Sequence, residues 1–343
     1  MTATTVDERV AQGGAVRRVL VRPELGALIG AVVVFVFFAV QSTAFRSVDG
    51  VANWLDPAST YGIMAVAVAM LMIGGEFDLS AGVMTGTIGL AISIMATHYG
   101  LNVWLAIVLA FVLAMIVGFV NGYLVVRTGL PSFIITLGMF FVLQGLNLGA
   151  TKVITGNVLV GGLDGSGGFS SAHFLFASSV VLGGHYFKVS IVWWIVLTAI
   201  ASLILLRTRF GNWVFAAGGD PTAARNVGVP AALTKVSLFM TTAGAAWLVG
   251  AMTALRNTSA QADAGVGDEL TFIVAAVIGG CLLTGGFGSA IGAALGALIF
   301  GMTSVGIIYV GWDADWYKLV VGAMLLLAVF ANRLVRRYAE RRR

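Results

Sequence analysis

Apolar residues run through this chain in long stretches, and polar residues are confined mainly to the gaps between them. A helix needs roughly 20 mostly apolar residues to cross about 30 Å of hydrocarbon. Ten segments meet or approach that requirement, near residues 25–43, 58–73, 82–98, 102–126, 132–150, 189–206, 234–255, 270–284, 289–310 and 316–333. The second, third and eighth are short or interrupted by glycine, so a re-entrant element among them stands beside a full crossing as a reading. The pattern predicts an all-α polytopic membrane protein of about ten transmembrane helices.

Composition strengthens that picture. The chain is 59% hydrophobic and 10% charged, whereas a soluble domain carries about 25% charged residues to face water. Most of its surface must therefore meet lipid. Charge also sets orientation, because cytoplasmic loops of membrane proteins are enriched in Lys and Arg. With all segments crossing and the N-terminus inside, 15 of the 20 basic residues fall in inner stretches, and only Arg46, Lys152, Lys188, Arg256 and Lys318 fall outside. Both termini are thus expected in the cytoplasm. Residues 1–23 read as a cytoplasmic tail that stays attached, being too long and mixed for the basic region of a signal peptide. Residues 24–333 read as a single membrane domain and 334–343 as a basic cytoplasmic tail. Two connections are long: an external one at 150–188, Gly- and Ser-rich with apolar patches suited to docking, and a cytoplasmic one at 207–230. The basic residues sit at segment ends and in the tails, which does not suggest nucleic acid. The single cysteine, Cys281, permits no intrachain disulfide and reads as a small buried residue.

The 207–230 connection carries the clearest local signals. Asp220 suits a helix N-cap, Pro221 the first helical position, Ala223 and Ala224 the helix body, and Gly228 the C-terminal stop. They predict a helix of about two turns, too short to be stable alone in water. It either rests on the protein's own inner face or docks on a cytoplasmic partner.

A second stretch, Gly74 to Gly82, places Glu76 and Asp78 at the edge of apolar runs. Carboxylates there are costly unless paired, hydrated or set in a cavity, and helices broken at glycine often line transport pathways. Glu76, Phe77, Asp78 and Ser80 are candidate pathway residues; an ordinary cytoplasmic turn, with Asp78 or Ser80 capping the next helix, is the competing reading. Asn121, inside an apolar run, reads first as an interhelical hydrogen bonder and second as a solute contact. Gly288, Gly292 and Gly296 recur every four residues and predict a helix face that packs closely.

Catalytic signatures are missing. The lysines are Lys152, Lys188, Lys235 and Lys318, and none follows a glycine, so the phosphate-binding sequence of P-loop ATPases does not occur. His98, His173 and His185 fall at or beyond the outer segment ends and suggest no metal site. The chain reads as a transport protein with no catalytic residues, metal or cofactor of its own.

At these same stretches the sequence resembles the permease subunits of ribose-type ABC importers, which move monosaccharides and related polyols. Four motifs carry the resemblance, in order, between residues 58 and 333. They are Gly75 to Gly82; Asn121-Gly122-Tyr123-Leu124-Val125 with Pro131 to Gly138; Gly211-Asn212, Ala216, Gly218, Ala223-Ala224-Arg225 and Gly228; and Ile278-Gly279-Gly280 with Gly285 to Ser289 and Gly292. Glu76 departs from the pattern, standing where glycine is usual, and Phe287 stands where Arg or Lys is common. The resemblance implies a bacterial inner-membrane permease that works as a dimer, with a second copy or a paralogue. A separate ABC ATPase subunit would bind the ATP, and an extracytoplasmic binding protein would deliver the solute. Gly211, Asn212, Gly218, Asp220, Pro221, Ala223, Ala224, Arg225 and Gly228 would form the element that couples to the ATPase. A sugar-like solute is implied; a nucleoside, an autoinducer-type sugar or a branched amino acid is the alternative within the class. An ion-coupled secondary transporter is the alternative outside it.

Overall fold

A computed structural model describes residues 23–324, 326, 327 and 330, so the tails at 1–22 and 334–343 lie outside the described residues. The chain is an all-α bundle with two small antiparallel strand pairs at its surface. Its elements are α1 (Pro23–Gln41), α2 (Val48–Ile73), α3 (Ala81–Ser93, continued by a π-helical turn Ile94–His98), α4 (Val103–Thr128) and α5 (Ser132–Thr155). Then follow β1 (Leu159–Gly161), α6 (Phe169–Phe176), β2 (Ser179–Leu182), β3 (His185–Lys188), α7 (Ser190–Arg207), α8 (Arg209–Gly219) and α9 (Pro221–Asn226). The last are α10 (Ala231–Asn257), β4 (Ser259–Gln261), α11 (Asp268–Ile278) and α12 (Ala290–Tyr309), followed by a helical stretch at 316–324.

Among the described residues, eight helices are long and apolar enough to cross a membrane. Two predicted segments change character. The second is a full-length helix, α2 of 26 residues, because Ser47 caps it from Gly50 N–H at 3.0 Å and Pro57 is accommodated inside it. The eighth is a half-helix: α11 has 11 residues, about 16 Å at 1.5 Å per residue, and residues 279–289 continue without helix. The tenth is helical over 316–324, and part of its remainder lies outside the described residues.

α2 forms the centre. Every residue from Gly62 to Ile73 is buried, and α7, α10, α11 and α12 pack against it. α1, α5 and α7 are peripheral and present Val40, Val153 and Leu206 outward, as side chains facing lipid rather than water would be placed.

The two ends of the bundle are assembled from different connections. At one end Asn53 Nδ2 donates to the Tyr309 hydroxyl at 2.7 Å, β1 pairs with β4 (Leu159 opposite Gln261), and Val103 N–H reaches Gly167 O at 2.9 Å. The stretch 150–188 therefore docks on the bundle through its apolar segments. At the other end lie residues 74–80, α8, α9 and the loop 279–289.

The same turn terminates α2 and α11. Gly75 N–H bonds Met72 O at 2.9 Å and Glu76 N–H bonds Leu71 O at 3.2 Å; Gly280 N–H bonds Val277 O at 2.9 Å and Cys281 N–H bonds Ala276 O at 3.0 Å. Both are Schellman stops, which need a left-handed residue, and glycine fills it each time, with φ of 84° at Gly75 and 91° at Gly280.

Candidate functional site

Residues 73–80 are the meeting point of five helices. The link leaves α2 at Gly74 and spends its polar groups on its neighbours one by one. The Glu76 carboxylate pairs with the Lys235 ammonium in the first turns of α10, their side chains only 8% and 16% exposed. Phe77 N–H donates to Ser132 Oγ and Leu79 N–H to Thr136 Oγ1, each at 3.0 Å, which straps the link to the start of α5. The Asp78 carboxylate accepts from Ser80 N–H at 2.8 Å and from Ser80 Oγ–H at 2.6 Å. Asn121 Nδ2 of α4 donates to Ser80 Oγ at 3.0 Å. Asp78, Ser80 and Asn121 are all buried, and the network replaces most of the water these groups would otherwise hold, leaving Asn121 Oδ1 without a partner. Burial pushes the Asp78 carboxyl up to about 6, against the opposing pull of the two bonds from Ser80.

The stretch is a turn, as the competing reading has it, but neither Asp78 nor Ser80 caps α3 through its side chain. Their polar groups are turned inward on each other and on Asn121.

α8 and α9 make the 207–230 stretch more ordered than a loop. Thr208 Oγ1 accepts from Gly211 N–H at 3.1 Å and starts α8, which places Gly211 and Asn212 inside a helix. Gly211, Val214, Ala217 and Gly218 form its buried face. Asp220 Oδ1 then accepts from Thr222 N–H at 2.9 Å and Ala223 N–H at 3.0 Å, Pro221 opens α9, and Gly228 ends the turn with φ of 85°. α9 has 6 residues and buries only Ala224. Ala223, Arg225 and Gly228 face outward beside Val227, which is 79% exposed.

What joins this capped element to the link is backbone packed on backbone. Gly286 N–H donates to Ile73 O at 2.8 Å. A Cβ on Gly218 would overlap that same Ile73 oxygen, and one on Gly285 would come within 2.7 Å of both Gly218 O and Gly75 Cα. One on Gly286 would stand 2.8 Å from Gly219 Cα. Side chains at these positions would separate the three segments, so α8, the end of α2 and the 279–289 loop form a glycine clasp. A cleft of about 480 Å³ opens beside it, with the Glu76–Lys235 pair at its floor and Pro221 and Arg225 at its rim.

Other predicted residues lie elsewhere. Gly292 and Gly296 are in α12, where added side chains would strike the Gly279 and Ala275 carbonyls of α11. Gly288 is not on that helix face, because α12 begins at Ala290; it packs against Cys281 and Ile73 in the loop. Ser132 and Thr136 fell within the Pro131 to Gly138 motif but were given no role, and Lys235 was given none either. Lys235 was legible as the sole lysine between residues 189 and 317, and Ser132 and Thr136 as hydroxyls one turn apart on a helix start. Among the described residues no group of three or more His, Cys, Asp or Glu side chains is placed to hold a metal ion.

Residues 50–329 match the family described as branched-chain amino acid transport system / permease component, and the chain belongs to that family. It is 32% identical over 316 residues to the probable ABC transporter permease protein YphD of Escherichia coli, covering 91% of this chain and 90% of that one. It is 30% identical over 285 residues to the fructose import permease protein FrcC of Rhizobium meliloti, covering 83% and 78%. It is 29% identical over 358 aligned positions to the xylose transport system permease protein XylH of Haemophilus influenzae, covering 89% and 94%. No solved structure matches the chain. The chain is a multi-pass permease of the bacterial inner membrane.

Proposed function

We propose that this family member is the membrane subunit of an ABC importer for a monosaccharide or related polyol, working as a dimer. A separate ATPase subunit binds the ATP and an extracytoplasmic binding protein delivers the solute. The family description speaks of branched-chain amino acids, but relatives of this chain include permeases named for fructose, galactose and xylose. Lys and Arg asymmetry supports a cytoplasmic location for the 207–230 end.

The observation that carries this reading is the capped α9 standing on the glycine clasp. So short a helix is unstable in isolation, and this one presents an exposed cation, Arg225, and an exposed valine, Val227, while its base is locked to the turns ending α2 and α11. A push on α9 is transmitted through backbone contacts with no flexible side chain between. That is what a subunit driven by a separate motor needs.

Reconstituted with the ATPase and binding protein, the permease should accumulate a sugar only with ATP. Arg225→Glu, which reverses the charge on the exposed face, or glycine at both Asp220 and Pro221, which removes a cap worth ~1 kcal/mol or roughly fivefold, should leave ATP hydrolysis running while uptake falls several-fold. Uptake that needs no ATPase and follows a proton or sodium gradient would overturn the reading.

A further inference from the structure

A second cavity, of about 400 Å³, lies in the half of the bundle remote from residues 74–80, enclosed by α2, α3, α10 and α11. The pairing of β1 with β4 brings Leu159 over it from the 150–188 stretch. None of the candidate residues read from the sequence lines it.

Its lining has a definite chemistry. Tyr61 and Phe272 stand on facing helices with ring centroids 6.1 Å apart. Thr253, Asn257 and Gln261 contribute a hydroxyl and two amides along the end of α10 and β4, and Asp268 adds a carboxylate at the start of α11. The one cation in the lining, Arg256, already has a counter-charge: its Nη1 lies 2.9 Å from Asp56 Oδ1 and its Nη2 reaches Ser190 Oγ at 3.4 Å, while its Nε has no partner. Toward the other half the cavity is closed, since Gly250 of α10 packs on the Thr85 carbonyl of α3 too closely to admit a Cβ.

We propose that this cavity is a solute site within the single bundle, open only toward the 257–268 end, and that it takes a neutral polyhydroxylated molecule of monosaccharide size. The volume falls in the range of small-ligand pockets, about 300–1,000 Å³, which combine apolar walls with a few convergent polar groups. A carboxylate and two amides accept from and donate to adjacent hydroxyls, and the Tyr61–Phe272 wall receives the apolar C–H face of a sugar ring. A zwitterionic amino acid is disfavoured, because its carboxylate would need an uncommitted cation and Arg256 is neutralised by Asp56. The proposal rests on the importer reading above, and its test separates the two.

Cys281 is the only cysteine and is buried, so Thr253→Cys provides a single reactive thiol in the cavity, and Tyr186→Cys one on the exposed β2–β3 hairpin. In proteoliposomes holding the complete importer, fructose, galactose, xylose and leucine are each tested for protection against a water-soluble thiosulfonate. The sugar that is transported should slow labelling of Thr253→Cys several-fold and leave Tyr186→Cys unaffected. Asp268→Asn should raise the KM for that sugar about tenfold, the loss expected for a hydrogen bond to a charged group, with a smaller change in kcat. If sugar uptake is intact but neither protection nor a KM change occurs, the site is refuted and the importer reading stands. If leucine protects and sugars do not, the ligand class is wrong. If no sugar is taken up at all, the importer reading fails and the site falls with it.

Discussion

Gly218 and Gly219 are neighbours in sequence with opposite expected responses to one methyl group. A Cβ on Gly218 would overlap Ile73 O and stand 2.8 Å from Gly286 N, two backbone atoms that are bonded to each other at 2.8 Å. Neither is the end of a flexible side chain, and relief requires moving α8 off the end of α2 by more than an ångström. Overpacking of this kind costs about 1–3 kcal/mol, and loss of the Gly286–Ile73 hydrogen bond about 0.5–1.5 more, so Gly218→Ala should destabilise the clasp by about 2–4 kcal/mol. A Cβ on Gly219 meets no heavy atom within 4 Å, and alanine favours helix over glycine by up to about 1 kcal/mol. Gly219→Ala should therefore be neutral or mildly stabilising. The assay is a melting curve of each purified permease, paired with ATP-driven uptake in the reconstituted importer. Gly218→Ala should melt lower and transport less per ATP hydrolysed, while Gly219→Ala matches the parent. Equal behaviour of the two variants, in either direction, would refute the clasp.

The Glu76–Lys235 pair is little exposed on both sides, so Glu76→Gln should cost about 3 kcal/mol or more by leaving a buried ammonium unpaired; Glu76→Lys with Lys235→Glu should recover most of that loss in a melting experiment, and a single variant that melts like the parent would contradict the pairing. Asp78 titrates near 6 when folded against 3.8 ordinarily. The folded state therefore binds its proton more tightly, and the stability this confers, full below about 3.8, is lost as pH rises to about 6. Melting temperature should fall across that window and Asp78→Asn should flatten the slope; parallel curves would count against the burial of Asp78. Asp220→Ala removes both cap bonds of α9 and should lower coupling efficiency with little effect on overall melting, because α9 buries only Ala224 and a lost cap costs about 1 kcal/mol. A drop in melting as large as that of Gly218→Ala would make α9 part of the core instead.

The legible parts of this fold were those governed by local rules. Runs of apolar residues gave the spanning helices, and Asp220, Pro221 and Gly228 gave α9 with its bounds, because capping depends on residues within one turn. The start of α2 was less legible: Asp49, Asn53 and Asp56 break the apolar run, yet the helix continues because those side chains lie at a bundle end, where Asn53 and Asp56 find Tyr309 and Arg256. α11 was legible only as a short or glycine-interrupted segment, with a full crossing and a re-entrant element both open. Its apolar run continues through Leu282 and Leu283, and what stops the helix is the left-handed conformation at Gly280, which hydropathy does not register. The clasp could not be read at all, since its members lie far apart in sequence and bury no side chains. Glycines at 75, 218, 285 and 286 look alike whether they make a flexible loop or a tight three-way contact. Only the fold decides between them.

The recurrence of Ile-Gly-Gly at residues 73–75 and 278–280 makes the difference between the two breaks informative. After each break a Ser-Ala pair opens the next helix, Ser80-Ala81 for α3 and Ser289-Ala290 for α12. Ser289 behaves as a helix-capping serine should, accepting from Gly292 N–H at 3.3 Å. Ser80 does not cap; its hydroxyl donates to Asp78 and accepts from Asn121 instead. The first turn of α3 thus forgoes a cap worth about 1 kcal/mol, and the link carries two buried carboxylates that the second break lacks. A local rule obeyed at one copy of a turn and broken at the other, with buried polar groups in its place, marks the position where structure has been subordinated to something else. Here that position is the one that α4, α5, α8 and α10 all grip. The second break keeps its cap and sets Gly285 and Gly286 against the first, so the departure from the local rule is confined to residues 74–80.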